Sequence, residues 1–100
     1  MTFHNLEIPE ARIQAFCQAR GIRRLALFGS VLRDDFRPES DIDVLVEFLP
    51  GVRVGLAFIQ MQDDLSALLG RPVDLHTPGS LSKYFREEVL NEAETLYVAA

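Results

Sequence analysis

The fold is decided by residues 27–48, which read LFGSVLRDDFRPESDIDVLVEF. Both ends of this stretch are apolar runs typical of strands. Gly29 and Ser30 follow the first run, and Asp41 and Asp43 open the second. Glycine permits a sharp turn and close approach to a ligand, and carboxylates are ligands for divalent cations. The stretch therefore predicts a phosphate-binding turn beside a metal-binding strand.

The two aspartates fall two residues apart, so in an extended strand they lie on one face. The opposite face is apolar and consists of Ile42, Val44, Val46 and Phe48. Two carboxylates roughly 6–7 Å apart at the backbone repel each other unless a cation lies between them. Magnesium suits such a site, and two Mg²⁺ ions can clamp a phosphoryl-type displacement. The alternative is that Asp41 caps the loop and Asp43 is a solvated edge residue.

A third carboxylate, Asp74, lies in a predicted strand at 72–76, where apolar and polar residues alternate. If this strand neighbours the one that carries Asp43, then Asp74 joins the same face. There it can bind a metal or accept the proton of an attacking hydroxyl. The alternative is a surface aspartate at a strand end. His76 points the same way, but we interpret it as a solvated neighbour without a role in the chemistry.

The glycine-serine turn is predicted to bind phosphate. Ser30 is a good N-cap for a helical turn from Val31, which would direct free backbone N–H groups at an anion. Arg33 follows within one turn and has two equal interpretations: its guanidinium contacts a phosphate, or it pairs with Asp34 or Asp35.

These motifs, with Val73-Asp74-Leu75 downstream, resemble the minimal nucleotidyltransferase (MNT) family of the DNA polymerase β-like superfamily. The resemblance covers roughly residues 10 to 95. It implies a nucleotidyltransferase fold, Gly29 and Ser30 as triphosphate-binding residues, Asp41 and Asp43 as metal ligands, and Asp74 as the third catalytic carboxylate. The family often has glycine after the arginine that Arg33 matches, whereas this chain has aspartate.

Similar proteins are the antitoxins of two-gene systems whose toxin is a HEPN-domain ribonuclease. The resemblance implies Mg²⁺-dependent transfer of AMP from ATP to a tyrosine of that toxin, and a homo-oligomer or a hetero-oligomer with the toxin. Two other functions stay open. The chain is a non-catalytic antitoxin that neutralises a toxin by binding it, or it nucleotidylates a cationic small molecule.

Composition restricts the class of protein. The 100 residues are 48% hydrophobic, which predicts one domain spanning 1–100 with a modest core. The net charge is −5 and the basic residues are scattered, so direct nucleic-acid binding is not expected. No apolar run is long enough for a membrane span, no secretion signal is recognisable, and the single cysteine, Cys17, is predicted to be buried. These features predict a cytoplasmic protein.

The order of elements predicts an α/β (α+β) fold: a small mixed sheet with helices packed on one face and the acidic face left open. Residues 96–98 are expected to form a short strand or to pack against the core. The core stripe of the second helix is predicted to be Leu56, Ile59, Leu65, Leu68 and Leu69. Helices are predicted at 9–20, 54–69 and 81–91, the last of them capped by Ser80 or Ser82, and strands at 24–28, 42–48 and 72–76.

Overall fold

The computed structural model describes residues 2–3, 6–32 and 41–99. In this part of the chain the helices are α1 (Glu10–Arg20), α2 (Ala57–Leu69) and α3 (Arg86–Glu92). The strands are β1 (Thr2–Phe3), β2 (Leu6–Glu7), β3 (Ile22–Phe28), β4 (Ile42–Phe48), β5 (Val73–His76) and β6 (Glu94–Val98). None of the helices in these ranges has the length and apolar character needed to cross a membrane.

The main sheet has four strands in the order β5-β4-β3-β6. Strand β3 is antiparallel to both β4 and β6, whereas β4 and β5 are parallel and are connected through α2. The parallel pair follows from that connection, because two parallel strands need a crossover and a helix supplies it. The mixed α/β fold is therefore confirmed. The two-residue strands β1 and β2 form a separate antiparallel pair that was not predicted.

One face of the main sheet carries the principal core. Helices α1 and α2 cover it with apolar side chains, and Cys17 of α1 is fully buried there, as predicted. The strands contribute branched and aliphatic residues, each no more than 7% exposed: Ile22, Leu25, Leu27, Ile42, Val44, Val46, Val73 and Leu75. Alternate residues of a strand point to the same face of the sheet, so the apolar residues two apart in these strands form one continuous apolar face.

The second face is not wholly open, which corrects the prediction that all helices pack on one side. Leu81 and the partly buried residues of α3 cover part of this face. The reason is that the second face is itself apolar where Ala26, Phe28 and Leu45 lie, and these residues are at most 8% exposed. The polar end of the face, at Asp43, remains partly accessible.

Helix α2 begins later than predicted, and its predicted core stripe is partly wrong. The buried positions are Met61, Leu65 and Leu69, four residues apart, which is the spacing of one helical face. Leu56 precedes the helix and is 89% exposed, and Ile59 lies off the stripe and is 63% exposed.

Helix α3 also begins later than predicted, at Arg86 rather than Leu81. Ser80 instead closes a short 3-10 turn with Thr77, in which each side chain accepts a hydrogen bond from the other residue's backbone N–H. Ser82 then accepts at its carbonyl from the N–H groups of Phe85 and Arg86. Turn bonds therefore occupy the residues that were expected to begin the helix.

Candidate active site

The acidic residues meet because of the register of three strands. Asp43 of β4 lies opposite Phe28 of β3 on one side and opposite Asp74 of β5 on the other. Paired positions project to the same face of a sheet, so the two aspartates share the second face. The prediction that Asp74 joins Asp43 depends on β5 lying next to β4, and the structure places β5 there.

Helix α2 holds the edge strand β5 in place. The Gln62 side chain accepts a hydrogen bond from the Leu75 backbone N–H (2.9 Å), and the Ser66 hydroxyl accepts one from the Val73 N–H (3.0 Å). These N–H groups would otherwise lie unpaired at the sheet edge. Because both bonds fix the backbone on either side of Asp74, they also fix the direction of its carboxylate.

His76 joins the two aspartates, although sequence analysis left it out. Its Nε2 atom lies 3.1 Å from Asp74 Oδ2 and 3.6 Å from Asp43 Oδ1, and its ring meets the Phe28 ring edge-on at 5.3 Å. One atom from each of Asp43, Asp74 and His76 falls within 4.8 Å of the others. The sequence contains a signal for this, because residues 74 and 76 are two apart on a strand and therefore lie on the same face.

The environment of Asp43 disfavours its charged form. Burial is the largest cause that raises the pKa of this carboxyl, and the neighbouring charges of Asp74 and Asp41 raise it further. His76 opposes them and lowers the pKa, without cancelling the effect. A cation beside the carboxylates would reverse this balance, because an opposite charge favours the ionised form.

The glycine turn packs directly against this carboxylate. Gly29 opens a 3-10 turn over Gly29–Leu32 and has a φ of +75°, a conformation that side chains other than glycine rarely adopt. A Cβ atom at this position would collide with Asp43 Oδ2. The absence of a side chain at residue 29 therefore lets the turn and the acidic cluster lie in contact.

The other predicted site residues have different outcomes. Asp41 is exposed and comes immediately before β4, rather than within it. It is not one of the three residues whose ligand atoms cluster, although its charge acts on Asp43. Ser30 lies in the 3-10 turn, but its side chain falls outside the described part of the chain, as does Arg33.

Glu47 shares a strand face with Asp43 but is not part of the cluster. It forms ion pairs with Arg23 and Arg24, the latter at 3.5 Å. Two arginines thus compensate the carboxylate at this end of β4. Among the described residues, His76 is the only basic side chain within ion-pair distance of the Asp43 and Asp74 carboxylates. Uncompensated negative charge is therefore concentrated at the other end of the strand.

A groove of about 540 Å³ lies between α1 and α2, away from these carboxylates. It is lined by apolar side chains together with Arg12, Arg20 and Asp64. Arg20 donates a hydrogen bond to Asp64 (2.6 Å) and stacks on Phe16. Its charge is therefore paired, and none of the acidic cluster reaches the groove. We place the candidate active site at Asp43 and Asp74 because the clustered side chains that can bind a metal ion lie there.

Comparison with known sequences agrees with this placement. A family model described as the nucleotidyltransferase domain matches residues 11–96. A candidate protein adenylyltransferase of Methanocaldococcus jannaschii is 37% identical over 89 residues, which cover 89% of this chain and 95% of that protein. The protein adenylyltransferase MntA of Thermococcus cleftensis is 39% identical over 74 residues, or 72% of each chain.

Two solved structures are similar in fold. A candidate minimal nucleotidyltransferase superposes with a TM-score of 0.69 at 36% identity, and the match covers 84% of this chain and 85% of that one. A complex of an MNT antitoxin with the tri-AMPylated HEPN toxin of Shewanella oneidensis gives a TM-score of 0.62 at 23% identity, with 90% and 70% covered. The second likeness shows the fold alone.

Proposed function

This chain belongs to the nucleotidyltransferase domain family, and we propose that it is an antitoxin that transfers AMP from ATP to a tyrosine of a partner HEPN ribonuclease. The relatives named as protein adenylyltransferases support AMP as the transferred group and a protein as the acceptor. The AMPylated HEPN toxin in a structure of the same fold supports the partner. In this proposal residues 1–100 act as one domain.

The observation that carries the proposal is the placement of Asp43 beside Asp74, with the Gly29 turn packed against Asp43. This arrangement puts metal-binding carboxylates and a turn without a side chain at one point. The donor set fits Mg²⁺, because carboxylate oxygens are its preferred protein ligands. Asp43 and Asp74 would hold it, joined by Asp41 at the start of the strand. Bound Mg²⁺ neutralises phosphate charge and polarises the phosphoryl oxygens.

The residues of the chain have separate tasks in transfer. Asp74 is 55% exposed at its side chain, so an acceptor hydroxyl can approach it and give up its proton there. The turn at Gly29 and Ser30 would bind the triphosphate through its backbone N–H groups, and Arg33 is proposed to add a phosphate contact. Loss of pyrophosphate then leaves AMP on the acceptor oxygen.

An exposed aromatic segment before α3 suits a protein acceptor. The segment that leads into α3 contains Tyr84 and Phe85, which are 88% and 46% exposed. Leu81, three residues earlier, packs against Phe28 on the same sheet face as Asp43. Exposed aromatic residues are enriched where proteins bind one another. We propose that this segment contacts the partner protein while the tyrosine of that partner enters the site.

Transfer itself tests the proposal. The protein is incubated with labelled ATP, MgCl₂ and a HEPN protein encoded by the neighbouring gene, and the partner is examined by mass spectrometry. Wild type is expected to add AMP to a tyrosine, and Asp43→Asn is expected to add none. Asp63→Asn is the matched control, because Asp63 is an exposed aspartate on α2.

Two outcomes would contradict the proposal. An unmodified partner in a tight complex, with toxicity neutralised equally by Asp43→Asn, would assign the chain as a binding module. Transfer of a nucleotide to an aminoglycoside or another cationic small molecule, and not to the protein, would change the acceptor class.

A further inference from the structure

We infer that His76 is a third metal ligand, so that the site binds first-row transition dications such as Mn²⁺, Co²⁺ or Zn²⁺ more tightly than Mg²⁺. The inference rests on the proposed function in one respect only, since both place a metal at Asp43 and Asp74. It concerns which metal these residues select and not which acceptor is modified.

The spacing of the donors fits one metal ion. Two ligands at adjacent corners of an octahedron lie roughly 3 Å apart when each is about 2.1 Å from the metal. His76 Nε2 is 3.1 Å from Asp74 Oδ2 and 3.6 Å from Asp43 Oδ1. All three donor atoms fall within 4.8 Å of one another. A small side-chain rotation therefore brings them to a common ion.

The Nε2 atom of His76 also lacks a good partner. It is almost completely shielded from solvent and makes no hydrogen bond of acceptable geometry with any described residue, although two carboxylate oxygens are near. A buried polar atom without a partner costs free energy. Coordination to a metal would satisfy this nitrogen and separate the two carboxylates with positive charge.

The edge-on contact with Phe28 orients the ring towards the cluster. The His76 and Phe28 ring centroids lie 5.3 Å apart at an interplanar angle of 69°, a favourable aromatic geometry. Phe28 is 8% exposed and is held in the second-face core. The imidazole is therefore supported from behind by a fixed residue, as a ligand requires.

The nature of the donor sets the selectivity. Mg²⁺ binds oxygen ligands and retains water, whereas imidazole nitrogen suits transition metals, whose affinities rise from Mn²⁺ through Co²⁺ to Cu²⁺. A site with two carboxylates and one imidazole therefore gains little for Mg²⁺ from the nitrogen. It gains much more for Co²⁺ and Zn²⁺. The residue at position 76 would thus decide the preferred cation.

Metal binding without nucleotide tests the inference. Affinities for Mg²⁺, Co²⁺ and Zn²⁺ are measured by calorimetric titration of wild type, His76→Gln and His4→Gln, because the chain has two histidines. His76→Gln is expected to lower Co²⁺ and Zn²⁺ affinity by at least about tenfold. Loss of a residue that only hydrogen-bonds a metal ligand already lowers metal affinity by about tenfold or more, and loss of a ligand should cost no less. Its Mg²⁺ affinity is expected to change by less than about threefold, and His4→Gln is expected to leave the preference unchanged.

Pulsed EPR of Mn²⁺-loaded wild type gives a second readout that needs no variant. Nitrogen-14 modulation is expected, and it should be replaced by the nitrogen-15 pattern when only histidine is labelled with ¹⁵N. Absence of nitrogen modulation, or equal Co²⁺ affinity in wild type and folded His76→Gln, would overturn the inference. Neither result depends on transfer, so AMP transfer that fails in Asp43→Asn would still support the proposed function.

Discussion

The two faces of the main sheet differ in how far their apolar surface extends. Against α1 and α2, the strands present aliphatic side chains that are almost fully buried. On the other face, an apolar half under Leu81 and α3 gives way to Asp43, Asp74 and His76. One face gains free energy from burial. The other carries Asp43, whose ionised form is disfavoured by its partial burial and by the neighbouring carboxylates.

The difference separates stability from chemistry. The polar end of the second face is supported from behind, because the strands that carry Asp43 and Asp74 are fixed by the core on the first face. A site that is unfavourable without its cation can persist on such a scaffold. Substitutions on the two faces should therefore affect different measurements, and the following predictions test that separation in decreasing order of effect.

Asp43→Asn should have the largest effect on activity. Metal charge stabilisation contributes several kcal/mol to phosphoryl transfer, so its loss should lower the rate by at least about a thousandfold. The metal-free variant should nevertheless have a higher Tm than metal-free wild type at pH 7. The raised pKa of Asp43 means that its ionised form opposes folding.

The pH dependence of that Tm difference provides a check. A carboxyl whose pKa is raised in the folded state favours folding while it is protonated, and this contribution is lost as the pH rises through the folded-state pKa. The difference between Asp43→Asn and wild type should therefore shrink as the pH is lowered. A variant that keeps its transfer activity, or melts below wild type at pH 7, would contradict the separation of the two faces.

Leu65→Ala on the first face should have the converse effect. Leu65 is fully buried between α2 and the sheet, and removing such a side chain costs about 2–5 kcal/mol because a cavity remains. Denaturant unfolding should show this loss in the free energy of unfolding. Transfer per folded molecule should remain near the wild-type rate at a temperature where the variant is folded, and a large loss would link the faces more closely than we expect.

Gly29→Ala should lower both the transfer rate and the stability, each to a smaller extent. The new Cβ would displace the Asp43 carboxylate, and a displacement of about 1 Å can lower a rate by roughly a hundredfold. Gly51→Ala is the matched control. It has a φ of +85° but no atom within 4 Å of the added Cβ, so it introduces the backbone strain of about 1–2 kcal/mol without the collision. Equal transfer rates in the two variants would exclude the contact at Asp43 as the cause.

Cys17 should give the smallest response. Burial raises the pKa of its thiol to about 12, so the reactive thiolate is scarce at pH 8. Thiol reagents should modify the native protein very slowly and the denatured protein completely. Fast labelling of the folded protein would show that α1 opens readily from the first face.

Much of the first face could be predicted from the sequence. Strands β3 and β4 follow from their apolar runs. Helix α1 follows from the residues at its ends, since Pro9 precedes it and Gly21 ends it in the left-handed conformation expected of a C-terminal glycine. Helix α2 shows the limit, since Leu56 and Ile59 fit an apolar count but not the face that meets the sheet. The three-dimensional direction of each residue depended on the exact start of the helix.

The second face was harder to predict because its contacts join distant segments. The position of Asp74 depended on β5 lying next to β4, which required the crossover through α2. The sequence places His76 on the same face, but a single histidine near carboxylates is more often a solvated neighbour, and its contact with Asp43 follows only from the pairing of β4 with β5. The packing of α3 depends on the apolar surface of Ala26, Phe28 and Leu45. The aspartates on the same face led to the prediction that the whole face is open.

A crystal structure with a non-hydrolysable ATP analogue and Mn²⁺ would test the central claim most directly, because the anomalous signal of Mn²⁺ distinguishes the ion from water and from protein atoms. We predict an anomalous peak between the carboxylates of Asp43 and Asp74, with the triphosphate against the Gly29 turn. Nucleotide and metal bound in the groove between α1 and α2, near Arg12 and Arg20, would contradict the assignment of the second face as the active site.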